Sequence, residues 1–222
     1  MKGVAVSATK GGVGKTSLAH ALALGAAWNN IPAYFMHTDN RPPIQVNGRP
    51  YGYYDARDPK KLITLIEAIM NDDGLCVIDS GGNRPEFDQW IADSVDLVII
   101  PVTPDPEAVS EGLAHMERLE AAGAKNVRFF INMMPSNKNE QMYVAREFLS
   151  KLPLNKILGR VGEVKAIRTL RIADGEKWTT PPSRLNNLSR ALYRQVKEAL
   201  NSNTLQSEEI EYIEKDYSAA TG

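Results

Sequence analysis

Short, continuously apolar stretches alternate along this chain with amphipathic stretches, a pattern typical of an α/β protein. The apolar runs predict strands over residues 1–8, 33–37, 75–79, 95–102, 127–133 and, as a last short strand, 156–158. Apolar positions three and four apart predict helices over residues 17–28, 59–71, 106–122, 139–152, 162–174 and 183–201. Because apolar strands separated by helices favour parallel pairing, we expect a single domain with a mostly parallel, twisted sheet and helices on both faces.

Two regions fall outside this alternation. Residues 41–58 contain three prolines and two glycines, and we interpret them as a mobile loop beside the functional site. Residues 202–222 carry five acidic residues and one basic residue, which predicts a flexible acidic tail after a domain at 1–201.

Composition narrows the class of protein. The chain has 222 residues, 43% of them apolar and 24% charged, and a net charge of −1, which is typical of a globular protein in solution. No apolar run approaches the roughly 20 residues of a membrane span, and because the first strand starts almost at Met1 we expect no signal peptide. The single cysteine, Cys76, is predicted to be a buried thiol, in keeping with a reducing cytoplasm.

A glycine-rich loop at residues 9–16, with the sequence TKGGVGKT, joins the first predicted strand to the first predicted helix. Its glycines let the backbone turn its N–H groups inward as a cradle for phosphate oxygens, and the helix start adds further donors. Lys15 can reach the β- and γ-phosphates of a nucleotide, and the Thr16 hydroxyl can ligate Mg²⁺. The predicted nucleotide-binding residues are Lys10, Gly11, Gly12, Val13, Gly14, Lys15, Thr16 and Ser17.

The loop departs from the common pattern G-x-x-x-x-G-K-[ST] at its start. Thr9 occupies the position of the first glycine, and Lys10 follows it as an additional cation. The alternative is a glycine-rich turn with a solvated lysine. The order of strand, loop and helix favours a phosphate site.

Polar side chains at the ends of three predicted strands meet at the same edge of a parallel sheet. Asp79 ends an apolar strand, and we expect it to hold Mg²⁺ through water opposite Thr16. The turn SGGN at residues 80–83 can sense a γ-phosphate, or it is a plain tight turn. Asp39 can position an attacking water or contact the water shell of the metal, or it caps a turn. Asn132 can bond an adenine edge, or it caps a loop.

The histidines carry no prediction of chemistry. His37 precedes Asp39 by two residues and is interpreted as a structural residue at the strand end. The three histidines show no metal-ligand spacing.

Taken together, these residues resemble the ParA/MinD family of dimeric ATPases. The resemblance rests on the loop from Lys10 to Thr16, on Asp39, on the strand ending at Asp79, and on residues 95–104, VDLVIIPVTP, which look most like the short plasmid-partition ParA branch. It implies that two subunits clamp two ATP molecules face to face and hydrolyse them slowly to ADP and phosphate with Mg²⁺. Lys10 would cross to the partner's nucleotide and act with Lys15 and Asp39 in catalysis.

The sequence also differs from that branch. Partition relatives read Asp-x-Asp-Pro-Gln where this chain reads HTDNR at residues 37–41, so the first acidic residue is His37. Longer members carry an N-terminal DNA-binding extension, which we do not expect here. Sequence-specific reading of DNA would then come from a separate centromere-binding or adaptor protein.

The resemblance also implies that the ATP-bound dimer binds DNA without sequence preference. Residues 151–200 hold 11 basic and 4 acidic residues, and a basic face there is either a phosphate-binding surface or a solvated helix face. The candidate DNA-binding residues are Lys165, Arg168 and Arg171 on one predicted ridge, with Arg190 and Arg194 on the last helix. Because the tail is acidic, we expect no membrane binding.

The leading hypothesis is therefore a partition ATPase that segregates or positions plasmid DNA, cytoplasmic and associated with the nucleoid in its ATP state. One alternative keeps the ATPase switch for a protein cargo or a conjugation role. Another is a small-molecule kinase or ligase with a pocket built by Tyr51, Tyr53 and Tyr54. Electron transfer of the nitrogenase-reductase kind is excluded, because one cysteine per subunit cannot supply two pairs of cluster ligands across a dimer.

Overall fold

A seven-stranded parallel sheet forms the centre of the structure, a computed structural model that describes residues 1–44, 46–81, 85–171 and 177–201. The strands are β1 (Lys2–Val6), β2 (Ala33–His37), β3 (Gly52–Asp55), β4 (Leu75–Asp79), β5 (Leu97–Val102), β6 (Val127–Met134) and β7 (Ile157–Gly162). Their order across the sheet is β3-β2-β4-β1-β5-β6-β7, and every neighbouring pair is parallel. The predicted fold class is confirmed.

Helices cover both faces of the sheet. They are α1 (Lys15–Ala27), α2 (Pro59–Ile69), α3 (Pro85–Ser94), α4 (Pro106–Ala121), α5 (Lys138–Glu147) and α6 (Ser183–Asn201), with short 3₁₀ helices at Leu149–Lys151, Leu154–Lys156 and Lys165–Leu170. None of the helices within the described ranges is long and apolar enough to cross a membrane.

Side chains along the central strands point alternately to the two faces of the sheet, and they contribute to two separate apolar clusters. On β1, Val4 and Val6 join the cluster beneath α1 and α6, whereas Ala5 joins the one beneath α2, α3 and α4. Helices α1 and α6 lie so close that a Cβ at Gly25 would come within 1.9 Å of the Ser189 carbonyl oxygen. The apolar predictions therefore describe a core on each face, and Cys76 is buried in the second of them as expected.

The sequence predicted an irregular loop over residues 41–58, but part of this segment is regular. Strand β3 lies within them and pairs with β2 at the edge of the sheet. Arg49 ties the same segment to the rest of the protein, because its Nη1 donates to the Tyr51 hydroxyl at 2.9 Å and to the Leu170 carbonyl at 2.9 Å. A four-residue edge strand without an apolar run leaves no periodic signal in the sequence.

The predicted α-helix over residues 162–174 is wrong for the part that the structure describes. Gly162 ends β7, and the following turn is the 3₁₀ helix Lys165–Leu170. A 3₁₀ helix has three residues per turn, so it accommodates the three-residue spacing of apolar and basic positions as an α-helix ridge does. The sequence did not predict helix α3. The predicted acidic tail, residues 202–222, lies outside the described residues.

Candidate nucleotide-binding site

The glycine-rich loop lies between β1 and α1 at the carboxyl edge of the sheet. Gly12 and Gly14 have positive φ values of 84° and 93°, conformations that favour glycine. Gly14 is also the N-cap of α1, and as a glycine it offers no side chain to the N–H groups of the first turn. These donors and the positive end of the helix therefore face the loop as an anion site.

Lys15 reaches back across this loop. Its Nζ donates to the Lys10 carbonyl at 3.2 Å. Burial lowers the pKa of Lys15, while the nearby Asp79 and Asp39 favour its charged form. The side chain is half-buried at the mouth of the cradle, where an ammonium group is placed to contact a phosphate.

Lys10 has a partner that the sequence did not suggest. Its Nζ forms an ion pair with the Glu107 carboxylate in the first turn of α4, and this hydrogen bond raises the pKa of Lys10. The neighbouring Thr9 hydroxyl donates to the Glu111 carboxylate at 3.1 Å. Within one subunit, the additional lysine is therefore held against its own α4.

Asp79 is the last residue of β4 and is 1% exposed. Burial raises its pKa to about 7, although the Thr16 side chain and Lys15 favour the ionised form. Among the described residues, neither carboxylate oxygen has a hydrogen-bond partner of good geometry. A buried carboxylate in this position fits a divalent cation held with Thr16, directly or through water, because the cation replaces the lost solvation.

The raised pKa of Asp79 makes the stability of the nucleotide-free protein depend on pH. Its pKa is about 7 when folded and about 3.8 when unfolded, so the folded state binds more protons between these values. The free energy of unfolding therefore falls as the pH rises from about 4 to about 7. We expect Asp79→Asn to melt above the wild type at pH 8 without Mg²⁺, and to lose this advantage near pH 4.5.

Thermal melting at both pH values measures the effect. Glu67→Gln, which changes an exposed carboxylate on α2 to the amide, is the matched control. An Asp79→Asn protein that melts at or below the wild type at pH 8 would contradict the burial argument.

Asp39 lies just beyond β2, where its Oδ1 accepts a hydrogen bond from the Arg41 N–H at 3.1 Å. His37 supports the same turn, because its Nε2 is 2.8 Å from the Arg41 carbonyl, and its Nδ1 lies 4.0 Å from the Asp79 carboxylate. A small cavity of about 20 Å³ lies between these groups and Thr16, with room for about one water molecule. A catalytic role for Asp39 stays a prediction.

Asn132 lies within β6, two residues before its end. Its Nδ2 donates to the Val13 carbonyl at 3.0 Å, and its Oδ1 accepts from the Met133 N–H at 3.0 Å. Met133 has a positive φ of 58°, and the register of β6 with β7 shifts between Ile131 and Met134. The side chain of Asn132 braces the phosphate loop in this structure, and a contact with adenine stays a prediction.

The candidate DNA-binding residues are all exposed: Lys165, Arg168, Arg171, Arg190 and Arg194. Arg171 differs from the others, because it also lines the small cavity with Thr16 and Asp39, and its charge favours the ionised form of Asp79. The structure thus brings Arg171 to the candidate nucleotide site, and sequence spacing gave no signal for this.

The sheet order and the glycine-rich loop are those of a P-loop NTPase fold. The chain resembles solved structures of MinD, McdA and a plasmid partition protein. The cell division protein MinD of Aquifex aeolicus has a TM-score of 0.66 at 15% identity, covering 91% of this chain and 98% of that one. Apo McdA of Cyanothece has a TM-score of 0.59 at 15% identity, covering 90% of this chain and 99% of that one. A plasmid partition protein of Borrelia burgdorferi has a TM-score of 0.60 at 14% identity, covering 89% of this chain and 98% of that one.

The resemblance to the ParA/MinD ATPases is thereby confirmed at the level of the fold. No protein-family profile matches the chain, and no curated protein sequence does. One similar structure is a MinD from Pyrococcus horikoshii complexed with Mg-ADP, and another is a McdA variant from Cyanothece in complex with ATP.

Proposed function

We propose that this chain is a Mg²⁺-dependent ATPase of the ParA/MinD type, which dimerises around ATP and binds DNA without sequence preference to segregate or position plasmid DNA. The observation that carries the proposal is the phosphate loop with a second lysine at its start, on the fold that MinD, McdA and partition proteins share. A separate adaptor protein would connect the cargo, and DNA binding would place the ATP state on the nucleoid.

Each part of the site has a role in ATP hydrolysis. The N–H groups of the loop and Lys15 hold the phosphates. Thr16, and Asp79 through water, would hold Mg²⁺, whose positive charge would lower the cost of charge developing on the phosphates. Asp39 borders the cavity that admits about one water molecule and orients that water for attack.

The ion pair of Lys10 gives the proposal a specific requirement. To contact a nucleotide in a partner subunit, Lys10 must leave Glu107 of its own α4. The contact with Glu107 therefore competes with dimerisation. Exposed ion pairs contribute little to stability because water and salt screen them, so the competition is modest and reversible.

We expect Glu107→Gln to strengthen the ATP-dependent dimer by up to about thirtyfold, since it removes one competing ion pair from each of the two subunits. Sedimentation velocity over a range of protein concentrations, with ATP and with ADP, measures this. Glu117→Gln, an exposed carboxylate on the same helix, is the control and should leave the dimer unchanged. A weaker dimer for Glu107→Gln would mean that Glu107 stabilises the interface and does not compete with it.

The basic residues support a DNA-binding surface. Lys165 and Arg168 are one turn apart on the 3₁₀ helix, and Arg190 and Arg194 are one turn apart on α6. Pairing two subunits doubles the number of phosphate contacts, so affinity for DNA should rise steeply in the ATP state.

The experiment that tests the function measures oligomeric state and DNA binding with ATP and with ADP at low and high salt. We expect the ATP state to be a dimer that binds random-sequence DNA, and this binding to weaken steeply as salt rises. The double variant Lys165→Glu/Arg168→Glu should lose DNA binding and keep ATP hydrolysis. Lys60→Glu/Lys61→Glu, with the same charge change on exposed positions of α2, should bind DNA almost as the wild type does.

An ATP-bound dimer that ignores DNA at low salt would refute the DNA role and favour the same switch acting on a protein cargo. The kinase or ligase alternative is disfavoured by packing. Tyr51 is buried and bonds His20, and Tyr53 stacks on Phe35 with ring centroids 5.2 Å apart. The cavity that Tyr53 lines holds only about 20 Å³, and a larger, more open hollow of about 430 Å³ beside Asp55 and Arg57 is lined by polar and charged residues and not by the tyrosines.

A further inference from the structure

A continuous chain of polar side chains runs from the surface of α4 to the turn after β4. His115 of α4 lies 2.8 Å from the Ser7 hydroxyl through its Nε2, and Ser7 lies 3.3 Å from the Ser80 hydroxyl. Ser80 in turn donates to the Gly81 carbonyl at 3.3 Å. At the other end, Arg118 approaches the His115 Nδ1 at 3.2 Å. The histidine and both serines are buried at 2% exposure or less.

The donors and acceptors of this chain fix its direction. A guanidinium only donates, so in its contact with Arg118 the His115 Nδ1 accepts, and the Nε2 of His115 then carries the proton. The Asp88 carboxylate faces the same Nδ1 from 3.7 Å, farther than Arg118. Ser7 accepts from that Nε2–H and donates its own hydroxyl proton to Ser80. Ser80 is then free to donate to Gly81. Burial, helped by the charge of Arg118, lowers the pKa of His115 to about 4, so the imidazole is neutral.

The chain ends inside the candidate nucleotide site. Val6 and Asp79 are opposite each other in the β1–β4 pair, so Ser7 and Ser80 are the next residues along both strands. Ser7 lies two residues before Thr9, the first residue of the phosphate loop, and Ser80 directly follows Asp79. The orientation of His115 is therefore transmitted to the first residues of the turn that follows the metal-binding carboxylate.

The Ser–His arrangement is not that of a hydrolase. Ser7 is 2% exposed, so no substrate can reach its hydroxyl. Its proton is directed to Ser80 and not to the histidine, whereas a nucleophilic serine must give its proton to the base. The chain is thus suited to hold groups in place and not to react.

We propose that His115 is a positioning residue for ATP hydrolysis, which fixes the Ser80–Gly81 turn beside the γ-phosphate through Ser7. This inference rests on the proposed ATPase function and adds a residue to the same site. Loss of the chain lets the turn sample other conformations, so hydrolysis slows while the phosphate loop still binds ATP. Coupling of this kind changes rates by about threefold to thirtyfold.

The test compares Ser7→Ala, His115→Leu and His115→Gln, in the full chain, for kcat and for ATP affinity. We expect Ser7→Ala and His115→Leu to lower kcat by about threefold to thirtyfold with ATP affinity within about twofold of the wild type. Because both substitutions break the same series of hydrogen bonds, the double variant should be no slower than the slower single variant. His115→Gln keeps an N–H donor and should recover much of the lost rate.

Ser189→Ala, which removes a buried hydroxyl between α1 and α6, is the control for the loss of a buried hydroxyl as such and should keep its kcat. Unchanged kcat in Ser7→Ala and His115→Leu, or a kcat that falls equally in Ser189→Ala, would overturn the inference. A wild type that hydrolyses no ATP would instead refute the ATPase function, and this inference with it.

A second measurement does not depend on variants that fold. Nitrogen NMR of histidine-labelled wild type should find His115 in the Nε2–H tautomer, and Mg-ATP should shift its resonances because Ser80 and Gly81 adjust to the phosphate. The opposite tautomer, or resonances that ignore Mg-ATP, would show that the chain does not couple His115 to the site.

Discussion

Replacing Lys10 with alanine should lower ATP hydrolysis at least about tenfold while ATP affinity stays within about threefold of the wild type. The reason is that Lys10 is not part of the cradle of its own subunit. Its ammonium group pairs with Glu107 on α4, whereas Lys15 is the lysine that lies across the loop. Lys15→Ala should therefore show the reverse pattern and lose ATP binding first.

Mixing two inactive variants distinguishes action across the dimer from action within a subunit. In a mixed dimer of Lys10→Ala and Asp39→Ala, one of the two sites has its own Asp39 and receives Lys10 from the other subunit. An equal mixture should therefore recover up to about a quarter of the wild-type rate, because half of the dimers are mixed and half of their sites are intact. If Lys10 acted within its own subunit, no site in the mixture would be complete and the rate would not recover.

The glycines of the phosphate loop should respond very differently to alanine, and Gly14→Ala should have the largest effect. Gly14 has a φ of 93°, and a Cβ there would lie 2.2 Å from the Asn132 Nδ2. The substitution therefore combines backbone strain of about 1–2 kcal/mol with displacement of Asn132 from the Val13 carbonyl. We expect a clear loss of thermal stability and of detectable ATP binding.

Two neighbours supply the controls for Gly14→Ala. Gly12 has a φ of 84°, but a Cβ there would meet nothing within 4 Å, so Gly12→Ala tests backbone strain alone. A Cβ at Gly11 meets neither obstacle, so Gly11→Ala should melt within about 2 °C of the wild type in the absence of nucleotide. Adding Asn132→Ala to Gly14→Ala removes the clash and should recover part of the stability. Equal melting of all three single variants would contradict the loop geometry.

The sequence predicted most of the sheet because each central strand is a short, continuous apolar run. It failed at β3 and over residues 162–171, the described part of the helix predicted at 162–174, for related physical reasons. An edge strand of four residues has no buried run, and a 3₁₀ turn with three residues per turn satisfies the same spacing as an α-helical ridge.

By itself, the sequence determined the phosphate loop with Lys10 and Lys15, the acidic residues Asp39 and Asp79 at strand ends, and a parallel α/β sheet. These are local properties, which depend on spacing over a few residues. Only the tertiary structure decided which distant residues contact this site. Glu107 pairs with Lys10 across 97 positions, and His115 bonds Ser7 across 108. Such contacts arise because parallel strands and their crossover helices bring distant segments to one edge of the sheet, and no short-range pattern records that proximity.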